Sequence, residues 1–492
     1  MSALTQETIE LLQRAGITTG TGLTSYDLQT PAVELVPVVT PLRNWIPRAK
    51  GVGDTATHWK AVTGINTGNL TPGVAEGNRN AYNTTGVSAQ SASYKALGFD
   101  DVMTWEAQYA AFKFTDLPAD TQRRLLLSLM ISEEQVLFGG QGTWGLGQTP
   151  TPTVGTTTTT GALPTGTAYV VYCVALTLEG LSLAGGFSTI GSTAATVIGP
   201  LQQTVSRTGA GSSSSDTVNG GTAIPSASGT ATTGGGGAAN TITASIVPVA
   251  GAAGYAWYMG TNSGTARLAA ITALATTTIL IAPTASQLFS ALATTDYSQN
   301  STEFDGLTAL LAKSGSGSLI QAGTGAAITS DGAGGIAEMN TFFSNMYKTW
   351  KTGPTDAWCS SNMAVTIDKL IVGNSGAPIF LATADGTSGP KSGSNNFRRP
   401  GRVSTILNKA NNSEVDLHVH PNCPDGMIMF TSSRVPFPSF GRGNPVEVHF
   451  QRDYHAIDWL PTRRAYEYGI YTNETLALYA PGVFGLMHNY SY

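Results

Sequence analysis

Histidine and cysteine side chains are the first candidates for chemistry in this chain, because they bind metals and exchange protons near neutral pH. His418 and His420 are separated by one residue, and Cys423 follows shortly after, so together they resemble a partial set of metal ligands. In a strand the two histidines would share one face, and Pro421 would end that strand. A solvated or interface pair is therefore the favoured interpretation, and no metal site is predicted.

A second set of residues, His449, Asp453 and His455, contains the base and the carboxylate of a hydrolase. However, no serine in a GxSxG turn and no cysteine in a reactive setting accompanies them. The stretch from Gly140 to Gly145 matches GxGxxG, but it follows a predicted helix instead of a strand, and no helix opens after it. The phosphate-binding motif GxxxxGK followed by Ser or Thr is absent. We therefore expect a protein without enzymatic activity, cofactor or bound metal.

The composition narrows the function further. The 492 residues carry a formal net charge of −5, only 12% of them are charged and 58 are Gly. Such a length predicts roughly two to four domains, and this composition favours a turn-rich β protein that does not coat nucleic acid through electrostatics. Three widely spaced cysteines, no secretory signal and no apolar run of about 20 residues indicate a soluble protein made in the cytoplasm.

One long helix is the clearest predicted element, and it spans residues 116–140. Asp116 suits its cap, Pro118 its first turn and Gly139 a left-handed stop. Apolar residues within 125–138 predict a broad buried face, and the helix would be about 30 Å long. The charged residues predicted for the opposite, solvent-facing side are Arg123, Arg124, Glu133 and Glu134.

The residues before this helix are predicted to be mostly extended. A short amphipathic helix at 5–15 is followed by a stretch with four prolines between 31 and 47, which cannot be helical and resembles an arm laid across other structure. Within 55–98, two strand-like ends flank a polar stretch rich in Gly and Asn. Such a hairpin cannot bury itself, so it is either a mobile loop or an element that finds its partner on another subunit.

The residues after the helix change in composition twice. Residues 151–300 have little charge and many β-branched side chains, which predicts a small inserted β-sandwich, with a loop or irregular edge at 208–237. Within this segment, VPVAGAAGYAWYMGTNSG is similar to the fibronectin type III and immunoglobulin pattern. Residues 301–492 return to mixed elements, with helices before a polar loop and alternating strands after it.

The order of these elements resembles that of the major capsid proteins of tailed bacteriophages, which share the Hong Kong ninety-seven type fold. PVVTPLRNWIPRAKGVGDTATHWK is similar to the arm and extended loop of that family, and LPADTQRRLLLSLMISEEQVLFGG is similar to its spine helix. HPNCPDGMIMFTSSRVPFP resembles its axial domain, and NETLALYAPGVFGLMHN resembles the closing strand of its peripheral domain. Outside the insertion, the resemblance covers most of the chain.

The resemblance implies an α+β fold and a division of the chain into five parts. These parts are an N-terminal arm at 1–50, an extended hairpin loop at 51–100, the spine helix and start of the peripheral domain at 101–150, the inserted immunoglobulin- or fibronectin-like β-sandwich at 151–300, and peripheral and axial domains at 301–492. The implied function is that of a major capsid protein, which self-assembles in the host cytoplasm into the icosahedral shell of a virion. The insertion is then expected on the shell surface, where it would brace neighbouring capsomers or touch the host.

The resemblance also implies partners. These are further copies of the chain in hexamers and pentamers, a portal, possible decoration proteins, and packaged double-stranded DNA bound without sequence specificity, with no membrane. Because few residues precede the hairpin, a separate scaffolding protein is expected. Lys60 and Lys95 lie in the hairpin, but no Asn partner is assigned to them, and no Lys–Asn crosslink is predicted. The candidate assembly contacts are Trp59, Lys60, Tyr82, Tyr94, Arg123, Arg124, Arg398 and Arg399.

Two alternative functions stay open. An encapsulin-like compartment protein would share the fold and enclose a cargo enzyme instead of a genome. A phage or bacterial adhesin would account for the immunoglobulin-like segment, although such proteins usually repeat this segment and only one copy is evident. A hydrolase is disfavoured, because no nucleophile stands beside a base.

Overall fold

The computed structural model describes most of the chain. The described residues are 37–65, 71–112, 114–158, 160–189, 200–208, 215–235, 239–373, 403–435, 441–461 and 464–492. The predicted helix at 5–15, the first part of the arm, and the polar loop with Arg398 and Arg399 lie outside these residues. Helices and sheets are both present, which confirms the α+β class.

Seven α-helices lie in the described part of the chain. They are α1 Pro41–Trp45, α2 Trp105–Ala110, α3 Leu117–Gly139, α4 Leu178–Leu183, α5 Leu307–Ala312, α6 Ala337–Trp350 and α7 Ser361–Gly373. The first of them, Pro41–Trp45, shows that the expectation of no helix in the proline-containing stretch is wrong, because Pro41 suits the first turn of a helix. The first eleven strands are β1 Arg48–Lys50, β2 Ala56–Ile65, β3 Thr85–Ser93, β4 Lys95–Thr104, β5 Thr153–Thr157, β6 Ala168–Leu176, β7 Ser188–Thr189, β8 Thr204–Thr208, β9 Ser215–Asn219, β10 Gly229–Thr232 and β11 Thr241–Ser245. The others are β12 Gly254–Gly260, β13 Arg267–Thr272, β14 Thr276–Ile279, β15 Leu319–Ala322, β16 Asp356–Cys359, β17 Thr405–Asn408, β18 Ser413–Val419, β19 Ile428–Thr431, β20 Val446–Trp459, β21 Ala465–Leu478 and β22 Gly485–His488.

The long helix α3 forms where the sequence predicts it, and its burial changes along its length. Thr121, Leu125 and Leu129 are buried at a spacing of four residues, so one stripe faces the protein. Leu125 and Leu129 pack there against Ile470 of β21. Near its C-terminus the helix is enclosed on several sides, because most residues within 133–139 are buried. The long helix is therefore a surface element at one end and a core element at the other.

Two expectations about this helix are wrong. Glu133 and Glu134 were expected in solvent, but both side chains are fully buried, because α1 and the segment after β18 cover this part of the helix. Gly139 was expected as a left-handed stop, but it is the last helical residue, and Gly140 follows in an extended conformation. A Cβ atom on Gly139 would lie 2.8 Å from Leu178, so the glycine permits close packing of α4 on this helix.

An elongated sheet of four strands, in the order β1-β20-β21-β4, packs along α3. Strands β20 and β21 have 14 residues each and pair antiparallel, so this part of the sheet is about 45 Å long. Two register shifts in β20, between Phe450 and His455, bend the pair. This sheet and α3 together form a long, narrow unit.

A second, six-stranded sheet has the order β15-β22-β19-β16-β18-β17 and packs against α6 and α7. In α6, Met339, Phe342, Phe343 and Met346 follow helical spacing and are all buried. Phe342 stacks on Phe430 of β19 with ring centroids 4.6 Å apart, which joins helix and sheet in one core. The three predicted helices within 303–373 and the later strands are thereby confirmed.

The described strands between α3 and α5 form two larger sheets, β10-β6-β12-β13-β7 and β14-β11-β5, and a two-stranded sheet, β8-β9. Trp257 of the first and Ile242 of the second belong to one apolar core. The expectation of a loop or irregular edge over 208–237 is partly wrong, because β9 and β10 lie there and β10 pairs with β6. Backbone pairing outweighs the weak apolar pattern of this Ser- and Thr-rich stretch. The insertion boundaries at 151 and 300 and the likeness to an immunoglobulin domain stay predictions.

Candidate assembly interface

The predicted hairpin is present, and its two strands pair only with each other in the described part of the chain. Strands β2 and β3 pair antiparallel from Ala56 with Ser93 to Ile65 with Thr85. Ten residues of β2 extend over about 30 Å. A two-stranded ribbon of this kind is marginally stable in water unless another surface supports it.

One face of this hairpin is apolar and exposed. The pairing places Val62 opposite Val87 and Ile65 opposite Thr85, so the three apolar side chains lie on the same face. Their exposed fractions are 62% for Val62, 59% for Val87 and 75% for Ile65. Lys60 lies two residues before Val62 and shares this side of the strand. We refer to these four residues as the hairpin face.

The base of the hairpin is fixed to the rest of the subunit. The ring of Trp59, on the other side of β2, meets Tyr479 edge-on at a centroid distance of 5.3 Å. Lys95 donates a hydrogen bond of 2.7 Å from Nζ to the carbonyl of Ser301. Arg442 lies over the ring of Tyr479 at 3.9 Å, and burial raises the pKa of the Tyr479 hydroxyl to about 12. The hairpin therefore leaves the subunit in a defined direction.

Replacing Trp59 by alanine is expected to loosen this base. Loss of the contact with Tyr479 removes about 1.4 kcal/mol or more, which makes opening about tenfold more frequent. Tryptic cleavage after Lys60, which lies in β2, should accelerate by this factor when measured on the purified protein. Val87→Ala, an exposed change in the same hairpin, serves as the control and should leave cleavage unchanged. Equal cleavage of the Trp59 variant and the wild type would contradict a fixed base.

A second exposed apolar surface lies where β4 and β20 end and β21 begins, and we call it the tip surface. The exposed fraction reaches 87% for Tyr109 and 88% for Leu460. Its members are Val102, Trp105, Tyr109, Phe112, Trp459 and Leu460. The pairing of Val102 and Trp459 with the same residue of β21, Glu467, brings the two strands of this surface together. Exposed apolar patches of this kind mark protein contacts.

A network of charged residues, most of them buried or partly buried, joins the arm to the long helix. Glu133 of α3 accepts hydrogen bonds from Arg43 Nε at 2.8 Å and Arg48 Nη1 at 2.5 Å, and from the hydroxyl of Tyr454. Arg48 also donates from Nη2 to Glu474 at 2.7 Å and to Asp453 at 2.9 Å. Glu133 therefore links α3 to α1, β1 and β20, and Arg48 extends these links to β21.

Glu134 holds the start of α1. Its two carboxylate oxygens accept hydrogen bonds from the backbone N–H groups of Leu42 at 2.8 Å and Arg43 at 2.7 Å. Free N–H groups at the first turn of a helix favour a carboxylate. His420, which is 1% exposed and stacks on Phe138, completes this site with a 2.6 Å hydrogen bond to Glu134. We call these eight residues the arm network, namely Arg43, Arg48, Glu133, Glu134, His420, Asp453, Tyr454 and Glu474.

Burial and neighbouring charges set the protonation of this network. Burial and the nearby Glu133 raise the pKa of Glu474 to about 8, although Arg48 opposes the shift. Burial alone would lower the pKa of Arg48, but Glu474 and Glu133 raise it above its usual value. Burial and Glu133 also raise the pKa of Tyr454 well above its usual value. Both Arg48 and Tyr454 therefore stay protonated at neutral pH.

The structure places the candidate histidines in different settings. His420 was expected to be solvated or at an interface, and this is wrong, because the chain turns inward after β18. His418 is partly exposed and bonds Asp356 at 2.8 Å. His449 contacts Tyr479 instead of joining Asp453, which binds Arg48. In the described residues, no group of three or more His, Cys, Asp or Glu side chains is arranged to hold a metal ion.

The predicted assembly contacts are brought together only in part. Trp59 and Tyr94 lie at the base of the hairpin, where Tyr94 abuts Gly51. Lys60 lies on the hairpin face, and Tyr82 is 94% exposed. Arg123 and Arg124 are exposed on the long helix, and their part in assembly stays a prediction, as does that of the other contacts. Sequence reasoning missed the arm network, for which the only signal was an acidic pair next to apolar residues.

The GxGxxG stretch serves packing. A Cβ atom on Gly142 would lie 2.2 Å from the carbonyl oxygen of Glu303, and one on Gly140 would lie 2.6 Å from that of Phe304. The glycines let the chain leaving α3 pass close to the segment before α5. Among the described helices, none is long and apolar enough to cross a membrane.

Comparisons with known proteins give similarities at the level of structure only. No protein-family model matches the chain, and no curated protein matches it. The capsid of a native GTA particle is 8% identical with a TM-score of 0.43, covering 96% of this chain and 97% of that one. The capsid of Myoviridae phage XM1 is 8% identical with a TM-score of 0.42, covering 96% and 99%. The holo-SrpI encapsulin complex from Synechococcus elongatus PCC 7942 is 9% identical with a TM-score of 0.41, covering 96% and 95%.

These TM-scores lie below 0.5, so the similarities add no argument about function. In chain order the hairpin precedes the long helix, three sheets lie between α3 and α5, and the strands of the six-stranded sheet follow. The elongated sheet combines β1 and β4, which precede the long helix, with β20 and β21, which come after α7.

Proposed function

We propose that this chain is the major capsid protein of a tailed bacteriophage, which assembles into an icosahedral shell around double-stranded DNA. The observation that carries the proposal is the hairpin, which has an exposed apolar face, a fixed base and, in the described residues, strands that pair only with each other. A second copy that covers this face would remove Val62, Val87 and Ile65 from water. The proposed role is structural, because the hairpin face and the tip surface expose apolar side chains of the kind that mark contacts between proteins.

The tip surface supports the same function. A closed shell needs at least two kinds of contact on each subunit, because one contact must close the ring and another must join rings. The hairpin face and the tip surface are separate exposed apolar surfaces on one subunit. In this proposal the further partners are a scaffolding protein, a portal and packaged DNA, and decoration proteins bind the outside. The residues within 151–300 project from the shell.

Electron microscopy of the purified protein, expressed with and without its neighbouring genes, tests this function. Closed polyhedral particles, or hexamers and pentamers, are the expected result. Particles that enclose a cargo enzyme in place of DNA would favour an encapsulin-like compartment. A monomer that persists with a scaffolding partner present would contradict shell formation and favour an adhesin.

A further inference from the structure

We propose that the arm network holds one proton, and that this proton keeps the arm, residues 41–50, locked to the long helix. The proton is held by Glu474, beside Glu133, and its release weakens the attachment of α1 and β1. The hairpin follows β1 directly, so the same proton sets how firmly the hairpin is held. The lock is a property of the subunit, and its consequence for shell assembly rests on the proposed function.

The arm network contains more carboxylates than cations. Glu133, Glu134 and Glu474 are all fully buried, and each would carry a negative charge if ionised. Two guanidinium groups, those of Arg43 and Arg48, lie among them with side chains 15% and 19% exposed. Asp453, the fourth carboxylate of the network, is 48% exposed to water, and the N–H groups of α1 compensate Glu134 in part. A buried charge without full compensation is costly, so four carboxylates against two cations favour one bound proton.

His420 does not supply the missing positive charge. Its Nδ1 accepts a hydrogen bond of 3.1 Å from the backbone N–H of Asn422, so Nδ1 carries no proton. Its Nε2 then bears the hydrogen and donates to Glu134. A ring with one nitrogen accepting and the other donating is neutral, and the imbalance remains.

Glu474 is the group that holds the proton. One of its oxygens, Oε2, accepts from Arg48, while Oε1 is buried with no hydrogen-bond partner in the described part of the chain. Glu133 already accepts from Arg43, Arg48 and Tyr454, which satisfies both of its oxygens. The raised pKa of Glu474 agrees with this assignment. The other charged or titratable groups that face it are Glu133 of α3, Arg43 of α1, Arg48 of β1, and Asp453 and Tyr454 of β20.

The direction of the pH effect follows from the raised pKa of Glu474. A glutamate whose pKa is raised from 4.5 to about 8 keeps a proton in the folded protein that the unfolded chain releases. The stabilisation is complete below the unfolded value and is lost as pH rises through the folded value. Between pH 6 and pH 9 the arm should therefore loosen.

Hydrogen exchange of the purified full-length protein, followed by mass spectrometry between pH 6 and pH 9, tests the lock. Peptides with the backbone amides of Leu42, Arg43 and Gly51 report on the arm, since these amides donate to Glu134 and to Phe450. After correction for intrinsic rates, protection in the wild type should fall about tenfold or more. Glu474→Gln imitates the protonated carboxyl, so its arm should stay protected at every pH.

A matched control is Glu303→Gln, because burial and Glu179 also raise the pKa of Glu303 to about 8, and this residue lies outside the arm network. It should leave the pH response of the arm unchanged. Protection in the wild type that does not change with pH would overturn the proposal, and so would the same pH response in Glu474→Gln. Electron microscopy of particles is a separate readout, so failure of the lock and failure of shell formation are distinguishable.

Discussion

Replacing Glu133 by alanine is expected to lower the free energy of unfolding by about 3–5 kcal/mol, which is the usual result of breaking a buried ion pair from one side. The substitution leaves the guanidinium groups of Arg43 and Arg48 without their shared carboxylate and removes the acceptor of the Tyr454 hydroxyl. Urea unfolding followed by circular dichroism measures the loss. Because the arm is attached through this residue, the arm amides should also lose protection.

Two further variants make the result specific. Glu76→Ala removes an exposed glutamate from the hairpin connection and should change stability by less than about 0.5 kcal/mol. Glu133→Gln keeps the shape and removes the charge, so its stability should fall between those of the wild type and the alanine variant. If Glu133→Gln were as stable as the wild type, the carboxylate charge would not hold the arm.

Replacing Val62, Ile65 and Val87 together by serine is expected to reduce the yield of closed particles at least about tenfold while the subunit stays folded. Each side chain is more than half exposed in the subunit, so the fold loses little. In a shell, burial of such a side chain is worth about 1.5–3 kcal/mol, and the contact recurs in every copy. Particle counts by electron microscopy and thermal unfolding of the subunit measure the two effects separately.

Val247 provides the matched control for this variant, since it is 71% exposed and lies between β11 and β12, away from the hairpin sequence. Val247→Ser should give a normal particle yield. Normal assembly of the triple serine variant would mean that the hairpin face contributes nothing to subunit contacts.

The sequence predicts the elements of this fold better than it predicts their surroundings. The long helix and the hairpin are found at their expected positions, because helical spacing within 125–138 and a polar stretch between two strand-like ends are local signals. Glu133 and Glu134 were misplaced because their burial depends on α1 and on residues near 420, which are distant in sequence. Periodicity of one helix cannot report contacts made by another segment.

In the candidate site, too, some features follow from local sequence patterns and others depend on contacts that are distant in sequence. Exposure of Tyr82 and the position of Trp59 follow from the hairpin pattern. The arm network could not be predicted, because its members come from five separate segments and each looks like an ordinary surface charge on its own. His420 illustrates this point, since its burial is decided where β18 ends and the chain turns toward Phe138.

The central claim is that the hairpin contacts a second copy of the chain. Crosslinking from the hairpin tests this claim most directly. A photoreactive benzophenone residue in place of Tyr82, which is 94% exposed, samples whatever lies against the hairpin connection. Particles assembled from equal amounts of light and heavy isotope-labelled subunits distinguish crosslinks between copies from those within one copy. We expect crosslinked peptides in which a peptide from a light subunit is joined to a peptide from a heavy subunit. Crosslinks restricted to one isotope, or none in assembled particles, would contradict it.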